Sequence, residues 1–528
     1  MELTSLDLII VVVTLIAVLA GGVVAGRNVR DADGYCLGSR QAPWWVVGLS
    51  VFATYVSALS FLGAPGWAYD DGLRTLMLQA NFPLVALIVA RVFVPMFYEL
   101  RVASVYEYHR GRFGTATSAL SSGLYLLTQA LSSAGILYTS ALVLGEVLNL
   151  PFVTALLGVG LLTLLYSAGG GMNSVLWTDV VQSVVLAIGL LLVLFFAIRD
   201  FVTMDVLADA ADSAQVRADR NRILFFEFDL KDKYTIWAGL LAMTLYRVQA
   251  QGASQFVIQR TLAARNVVDA QRSLLILGYS VVPMLAAMLG IGACLYLTYE
   301  GRSFDNSNTI ILQYISDLAV PGLAGILIAA LFAASMSSLD SSLNSLSTVT
   351  FHGFLKKRFE LSPVQSLRSL RLLSAFWLAV LLLPAYLFSR GKGSILERVV
   401  EIGGYFAGAE LALFCLGFFA VSIGQAHVLF GVATGFVGVF SVATLTEVSW
   451  PWFCAVGFLG TFAGAFASRL ASGPVSLTAE QSGFLYHSLG RTTRVTGLRG
   501  SEWGLVAFLL IWLGLLALLE RSLWGFSA

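Results

Sequence analysis

The stretch that decides the fold is SMSSLDSSLNSLSTVT, residues 335–350, within an apolar run that starts near Gly322. More than half of these residues are Ser or Thr, and Asp340 places a carboxylate among them. The surrounding sequence is that of a lipid-embedded helix, in which a charged side chain is rare and costly. A carboxylate among hydroxyls at membrane depth favours a binding site over a lipid-facing surface.

The composition of the whole chain is that of an integral membrane protein. Of its 528 residues, 58% are hydrophobic and only 12% are charged, and the mean hydropathy is +0.81. Soluble domains carry about 25% charged residues. The net charge of +1 argues against nucleic acid as a partner. The four cysteines show no paired spacing, so neither a disulfide framework nor a zinc site is indicated.

Apolar runs of about 20 residues, the length that crosses a bilayer core, recur along the chain and predict about 14 transmembrane helices. The predicted spans are residues 6–25, 43–64, 75–97, 115–147, 151–167, 174–198, 234–258, 273–299, 322–350, 369–388, 399–423, 427–446, 452–471 and 503–520. The segments between them are too short for an independent core. We therefore expect an all-α integral membrane protein with one membrane domain over residues 1–528.

Basic residues concentrate in the connections after the first, third, seventh, ninth and thirteenth spans, and the seventh connection contributes Arg260, Arg265 and Arg272. These odd-numbered connections lie on one side, which the positive-inside rule assigns to the cytoplasm. We predict a multi-pass protein of the plasma (inner) membrane with both termini outside the cytoplasm. Residues 199–233 would then form an external loop.

Two spans contain helix interruptions in corresponding positions. The second, VVGLSVFATYVSALSFLGAPGWAY (46–69), has small and hydroxylated residues at its centre, and the seventh, LAMTLYRVQAQGASQFVIQR (241–260), is polar around Gly252. Such a pair is typical of a transporter site between inverted repeats, although small residues also permit close helix packing. We predict repeats at residues 43–198 and 234–423, with peripheral helices and loops at 1–42 and 424–528.

The hydroxyls of the ninth span share one helical face. A helix aligns positions i, i+3, i+4 and i+7, which places Ala334, Ser337, Ser338, Ser341 and Ser345 on one stripe, with Asp340 three residues from Ser337. Oxygen ligands suit a small hard cation, and sodium is the obvious candidate. Serines that bond back to the preceding turn are the alternative, but they do not explain the aspartate.

Three motifs resemble the sodium/solute symporter family. They are the opening stretch, GGGMNSVLWTDVVQS (169–183) and VFVPMFYELRVASVYEYHRGRFG (92–114), and the last is similar to the branch of iodide, monocarboxylate and multivitamin transporters. The resemblance covers residues 6–423. It implies a leucine-transporter-like inverted five-plus-five repeat core, with Na+ as the coupling ion and a small-molecule substrate moved across the lipid bilayer.

The resemblance also implies ion ligands. The principal sodium site would use the backbone carbonyls of Ala53, Val56 and Ala334 and the hydroxyls of Ser337 and Ser338. A second sodium is implied in some relatives by the aspartate of the "TD" pair, here Asp179. The side chains that would join it are Ser337, Asp340 and Ser341.

Substrate positions of the family map to Tyr55, Ser57 and Ser60 of the second span and Gln79 of the third. The polar seventh span adds Arg247, Gln251 and Gln255 as pocket candidates. Arg247 and Glu410 depart from the family pattern: Arg247 could bind a substrate carboxylate, or the two charges could pair within the membrane. The fourth-span segment YLLTQALSSAGILYTSALVLG (125–145) lacks the arginine of sialic-acid-carrying relatives.

We expect a sodium-coupled secondary active symporter that imports a small polar solute by alternating access, with a small organic anion or monocarboxylate favoured. A sodium/sugar or sialic-acid-type symporter is the alternative, and an ion channel or a transporter-like sensor belongs to a different class. An enzyme is not expected, because the four histidines form no HExxH pattern.

Overall fold

A computed structural model describes residues 3–27, 29, 31–38, 40–203, 222–356, 358–391, 393–488 and 500–525. Within these ranges, the side chains of residues 19, 23, 26, 165–170, 203 and 519–525 are excepted. Most of the predicted external loop, residues 204–221, lies outside the described residues, as do the extreme residues of both termini.

The described chain consists of helices joined by loops. The α-helices are α1 Ser5–Gly26, α2 Ala32–Leu37, α3 Trp44–Tyr55, α4 Ala58–Asp71, α5 Phe82–Ile88, α6 Val94–Leu100, α7 Glu107–Arg112, α8 Thr115–Leu148, α9 Phe152–Thr203, α10 Met243–Val248, α11 Gln255–Thr261, α12 Val267–Thr298, α13 Ile310–Leu318, α14 Leu323–Thr350, α15 Pro363–Phe388, α16 Ile395–Phe419, α17 Gln425–Leu445, α18 Phe453–Ser472, α19 Ala479–Gly483 and α20 Gly500–Gly525. Tighter 3₁₀ turns occupy Leu73–Gln79, Ser307–Thr309, Trp450–Trp452 and Tyr486–Ser488. Wider π turns occupy Val89–Phe93, Ala238–Ala242, Gln249–Ala253 and Phe351–Leu355.

The predicted all-α membrane fold is confirmed. Within the described ranges, 11 helices are long and apolar enough to cross a membrane, or 12 when the bent pair α3 and α4 is taken as one span. The other two predicted segments are helical as well. The fifth is the short stretch Phe152–Leu164, and the seventh is broken into the consecutive pieces between residues 238 and 261.

The second predicted span breaks between α3 and α4. Val56 and Ser57 leave the helical conformation (φ −88°, ψ 76° and φ −86°, ψ 168°), and the two helix axes meet at 51°. Membrane helices tolerate such a break only where other groups satisfy the backbone. The Ser60 hydroxyl does so, since it donates to the carbonyls of Ser57 (3.0 Å) and Tyr55 (3.3 Å).

The seventh predicted span is interrupted at Ser254, which adopts an extended conformation (φ −98°, ψ 132°) after the wide turn Gln249–Ala253. The turn packs closely at Gly252, where a Cβ would lie 2.9 Å from the Phe93 ring. The long helix α9 also kinks, at Gly171, whose φ of +57° favours glycine. The breaks at Val56 and Ser57 and at Ser254 thus lie in the two spans where the sequence predicted helix interruptions.

Helix α14 is the central element, with almost all of its length buried in protein. It packs against α1, α3, α8, α9 and α15. This position explains its composition, because hydroxyls that would be exposed to lipid elsewhere face neighbouring helices here. The serine-rich stretch therefore faces the break between α3 and α4 on one side and α9 on another.

Candidate functional site

The serine face of α14 meets the broken end of α3. The Ser338 hydroxyl donates to the Thr54 carbonyl at 3.2 Å, one residue from Ala53. The five predicted principal sodium ligands, Ala53, Val56, Ala334, Ser337 and Ser338, are all buried. Because α3 ends here, carbonyls of its last turn lack donors from a following turn. The structure thus brings together oxygens of the kind that a hard cation prefers.

The carboxylate of Asp179, from α9, lies beside these residues. It accepts hydrogen bonds from the Ser337 hydroxyl (2.5 Å), from Ser50, and at 3.5 Å from Thr54. The Ser341 hydroxyl is buried and has no hydrogen-bond partner among the residues that the structure describes. Asp179 and Ser337 of the predicted second site are therefore in direct contact. We call the α3, α9 and α14 residues Ser50, Thr54, Asp179, Ser337 and Ser338 the ion seam.

Arg260 is the residue that sequence analysis placed wrongly. It was assigned to a cytoplasmic connection, but α11 continues through it and its side chain is 1% exposed. Its Nε lies 3.8 Å from Asp179 Oδ2 and donates to the Ser50 hydroxyl at 3.0 Å. The apolar residues on both sides of Arg260 in the sequence were the available signal of burial.

A cavity of about 180 Å³ lies beside the ion seam. The predicted substrate residues that line it are Tyr55, Ser57, Ser60, Gln79, Arg247 and Gln251. Residues that the sequence did not single out also line it, among them Thr54, Thr128, Gln129, Gln249 and Arg260. Since Thr54 and Arg260 belong to or contact the ion seam, the cavity and the seam adjoin.

Gln255 lies away from the cavity. Its side-chain amide donates to the Ala103 carbonyl at 2.8 Å and accepts from the Val105 amide at 2.9 Å. Both bonds hold the chain that follows α6, and both functional groups of the amide are therefore in use. The structure gives Gln255 a structural position rather than a place among the cavity walls.

Arg247 projects into the cavity between aromatic rings. Its Nη2 donates to Gln79 Oε1 at 2.9 Å, and the guanidinium carbon lies 5.1 Å from the Phe82 ring centroid and 5.6 Å from that of Tyr55. Its Nε is buried without a partner. The cation–π contacts hold the Arg247 guanidinium in place. Its remaining N–H groups are available to donate to an anion.

Arg247 and Glu410 do not pair with each other. The side-chain amide of Gln249 donates to Glu410, whose other carboxylate oxygen is buried without a hydrogen-bond partner. Arg247 instead uses Gln79. The interpretation in which the two charges neutralise each other is therefore wrong for this conformation, because each side chain has a glutamine partner instead.

Two polar clusters border the cavity region. In the first, the Asp71 cluster, Lys233 bridges Asp71 of α4 (3.2 Å) and Glu397 of α16 (2.5 Å), and Trp450 donates to Glu397 at 3.1 Å. The cavity-lining residue Leu396 precedes Glu397.

The second is the Gln259 cluster. The Gln259 side-chain amide nitrogen donates to the Cys36 carbonyl (2.5 Å) and to Asn344 Oδ1 (2.7 Å), and the Thr348 hydroxyl lies 3.3 Å from the same nitrogen. Asp71 follows the break of its span and Cys36 precedes that span, so the two clusters lie towards opposite ends of the α3–α4 pair. The Asp71 cluster joins both predicted repeats through Asp71 and Glu397, whereas the Gln259 cluster joins the second repeat to Cys36 of the peripheral segment 1–42.

The family model described as "Sodium:solute symporter family" matches residues 35–435. The chain belongs to this family. The predicted resemblance is confirmed, and it extends from α2 into α17. The matched residues include the ion seam and the cavity.

Curated relatives include the human (Homo sapiens) sodium/iodide cotransporter, 29% identical over 419 residues, which are 77% of this chain and 64% of that protein. A sodium/sialic acid symporter of Aliivibrio fischeri is 27% identical over 456 residues, 84% of this chain and 88% of that protein. The bovine (Bos taurus) sodium-coupled monocarboxylate transporter 2 is 25% identical over 441 residues, 80% of this chain and 71% of that protein. The aligned part of this chain thus spans a little less than two thirds of the sodium/iodide cotransporter.

Among solved structures, the fold is similar to that of a Na+-coupled sialic acid symporter in a substrate-bound outward-open state. The TM-score is 0.79 at 23% identity, over 90% of this chain and all of that one. An inward-facing conformation of Mhp1 gives a TM-score of 0.51 at 15% identity, over 86% of this chain and 99% of that one. These likenesses confirm the leucine-transporter-like architecture.

Proposed function

We propose that the protein is a sodium-coupled symporter that imports a small polar solute, with a small organic anion favoured, by alternating access. The observation that carries the proposal is the ion seam, where hydroxyls of α14 meet the broken end of α3 beside the buried Asp179. Membership of the sodium:solute symporter family supports sodium as the ion.

The principal sodium would bind the carbonyls of Ala53, Val56 and Ala334 and the hydroxyls of Ser337 and Ser338. In the described structure the Ser338 hydroxyl donates to the Thr54 carbonyl, so binding would turn its lone pairs to the ion. Sodium would then fix α14 against α3 in place of this single hydrogen bond.

A second sodium is proposed at Asp179, Ser337, Asp340 and Ser341. Arg260 lies within electrostatic reach of both Asp179 and Asp340. Two formal negative charges and one positive charge leave one negative charge, which a sodium ion would neutralise in a region where unbalanced charge is costly. The partnerless Ser341 hydroxyl supplies a further oxygen.

The solute would occupy the cavity, with its anionic group at Arg247 and Gln79. The buried Nε–H of Arg247 has no hydrogen-bond partner among the described residues. The planar guanidinium can bind a carboxylate through two parallel hydrogen bonds. Thr54 and Tyr55 connect the two sites, because the Thr54 carbonyl is bonded to Ser338 while both residues line the cavity. Sodium that orders this turn would favour the solute-binding conformation, and the solute would favour sodium binding equally.

Transport would alternate between two closures. With both termini outside, the Asp71 cluster lies at the extracellular end of the cavity and the Gln259 cluster at the cytoplasmic end. The Asp71 cluster joins the predicted repeats 43–198 and 234–423, so opening it would require them to move relative to each other. The Gln259 cluster joins the second repeat to Cys36, so opening it would move α14 and α11 away from the segment that contains α2. Moving one charge through 100 mV provides about 2.3 kcal/mol, or roughly 50-fold accumulation.

A matched pair of serine variants tests the sodium site. Thermal unfolding of the purified protein is compared in sodium, potassium and choline for the wild type, Ser338→Ala and Ser335→Ala. Ser335 is the control, because it is equally buried on α14 but donates to the Leu331 carbonyl of its own helix. We expect saturable stabilisation by sodium alone, lost in Ser338→Ala and kept in Ser335→Ala. A wild type indifferent to sodium would contradict the proposal.

The second candidate is a sodium/sugar or sialic-acid-type symporter, favoured by the many hydroxyl and amide groups along the cavity. A channel is separated from both by flux measurements in proteoliposomes. Concentrative, saturable uptake driven by a sodium gradient supports a symporter, whereas flux that never exceeds equilibrium supports a channel.

A further inference from the structure

Hydrogen-bond directions along the cavity are fixed by partners that can only donate or only accept. Arginine has no acceptor, so Gln79 must present Oε1 to Arg247, as the 2.9 Å contact with Nη2 shows. The Gln79 amide nitrogen is thereby left to donate. Arg247 and Gln79 form a donor pole in the cavity wall.

Gln249 has the opposite polarity. Its amide nitrogen donates to the Glu410 carboxyl oxygen Oε2, which accepts in that contact. Its carbonyl oxygen is then left to accept. Gln249 lines the cavity, whereas Glu410, 1% exposed, stands behind it on α16. Glu410 therefore acts through Gln249 as a positioning residue.

Two serines orient the Gln129 side chain in the same way, with its amide nitrogen towards the protein and its oxygen towards the cavity. Its amide nitrogen lies 3.3 Å from the Ser133 hydroxyl and 3.1 Å from the Ser342 hydroxyl. The hydroxyl hydrogens of Ser133 and Ser342 are already donated to the backbone carbonyls of Gln129 (2.6 Å) and Ser338 (2.7 Å). Both hydroxyl oxygens can therefore only accept from the Gln129 side chain. The side-chain oxygen Oε1 of Gln129 is thereby left as a second acceptor for a ligand.

Two hydroxyls of the cavity are acceptors as well. Thr128 donates to the Leu124 carbonyl at 3.1 Å, and Ser60 donates to the Ser57 carbonyl at 3.0 Å. With their hydrogens in use, both can offer only lone pairs to a ligand. The acceptor wall of the cavity consists of Gln249, Gln129, Thr128 and Ser60, and it contrasts with the donor pole of Arg247 and Gln79.

We infer that the solute is a small hydroxylated carboxylate, whose carboxylate binds the donor pole and whose hydroxyls donate to the acceptor wall. This inference rests on the proposed function and specifies its substrate class. A halide or an unsubstituted carboxylate satisfies the donor pole but leaves the acceptors without partners, and a site built to accept from a hydroxyl discriminates against analogues that lack one. No Asp or Glu is among the described residues that line the cavity, which favours neutral hydroxyl donors over an ammonium group.

The test is a binding series at saturating sodium, with dissociation constants from ligand-dependent thermal stabilisation. Glycerate, lactate and propionate share a three-carbon carboxylate and carry two, one and no hydroxyls. Alanine replaces the hydroxyl by an ammonium group, and glycerol lacks the carboxylate. We expect affinity to fall about tenfold for each hydroxyl removed, with alanine and glycerol weaker than glycerate.

Glu410→Gln tests the orientation of Gln249. An amide at position 410 accepts or donates, so Gln249 is no longer held with its oxygen towards the ligand. We expect the ratio of glycerate to propionate affinity to fall about tenfold, with the propionate affinity and the sodium response little changed. If Glu410→Gln does not fold, Gln249→Met removes the same acceptor and should lower the ratio equally.

The outcomes separate this inference from the proposed function. Sodium stabilisation with equal affinities for glycerate and propionate overturns the substrate class and leaves the symporter in place. Tighter binding of alanine, or no carboxylate binding at tens of millimolar, also overturns the class. Absence of any sodium effect overturns the proposed function itself.

Discussion

The ion seam and the solute cavity adjoin, yet they are built in different ways. The seam joins neutral hydroxyls and backbone carbonyls around Asp179. Besides Arg260, the cavity contains two polar pairs: Arg247 with Gln79, and Gln249 with Glu410 behind it. In the proposed function, the seam binds the coupling ion and the cavity selects the solute.

This difference predicts that the two functions can be lost separately. Changes in the seam should abolish the sodium response and with it all solute binding, because in the proposed function the ion orders the turn at Thr54. Changes in the cavity should alter solute affinity while the sodium response persists. The variants below are ordered from the largest expected effect to the smallest.

Asp179→Asn should have the largest effect, because it removes the carboxylate that lies 3.8 Å from the buried Arg260 side chain and accepts the Ser337 and Ser50 hydroxyls. Removing one member of a buried pair costs about 3–5 kcal/mol. We expect a loss of that size in the free energy of unfolding, measured in mixed detergent micelles, together with loss of sodium stabilisation.

The double variant Asp179→Asn/Arg260→Gln sharpens this prediction. With both charges removed, most of the stability should return, since a buried pair contributes little net stability. The sodium response should stay absent, because the ion has lost its carboxylate. A double variant that regains the sodium response would show that Asp179 serves only to neutralise Arg260.

Arg247→Gln should have the next largest effect, and it should fall on the cavity alone. A hydrogen bond to a charged group contributes about 1.5–3 kcal/mol, so affinity for an anionic solute should fall by roughly 10- to 150-fold. Binding is measured at saturating sodium by isothermal titration calorimetry.

The internal control for Arg247→Gln is sodium stabilisation of the same sample, which should match that of the wild type. Arg247→Lys keeps the positive charge but not the planar, bidentate guanidinium, so its affinity for the anionic solute should lie between those of the wild type and Arg247→Gln. Equal loss of the sodium and solute responses in Arg247→Gln would remove the distinction between seam and cavity.

The same distinction explains how much the sequence could predict. Apolar run lengths placed all fourteen predicted spans on helical segments, because a bilayer fixes how long such a run must be. The serine stripe of α14 was also visible, since helical periodicity alone brings Ser337, Ser338 and Ser341 together.

The cavity depended on contacts that no local pattern encodes. Gln249 and Glu410 are separated by 161 residues in the sequence, so their pairing required the packed structure. Gln255 followed the same polar pattern as Gln251 but turned towards Ala103 and Val105, because the break at Ser254 changes the helix direction between them. Arg260 was missed because basic residues near a span end are usually outside the membrane.

The smallest effect on stability is expected for Lys233→Gln, in the Asp71 cluster. The bridges from Lys233 to Asp71 and Glu397 are partly exposed, with side-chain exposures of 28%, 24% and 19%, and exposed pairs contribute about 0–1 kcal/mol. The free energy of unfolding should therefore change by no more than about 1 kcal/mol. If the closed conformation alone loses this energy of about 1 kcal/mol, the ratio of the outward-open to the closed conformation should rise about fivefold.

Accessibility measures this opening. A cysteine at Val399→Cys, on the cavity wall, is labelled by a membrane-impermeant maleimide added to sealed vesicles of known orientation, with the native cysteines replaced. Lys233→Gln should speed labelling from the extracellular side several-fold, whereas Lys231→Gln should not. Lys231 is the matched control because, within the described part of the chain, its ion pair is with the exposed Glu447. Equal labelling rates in both variants would show that the Asp71 cluster does not close the cavity, and labelling from the opposite side would reverse the predicted orientation of the chain.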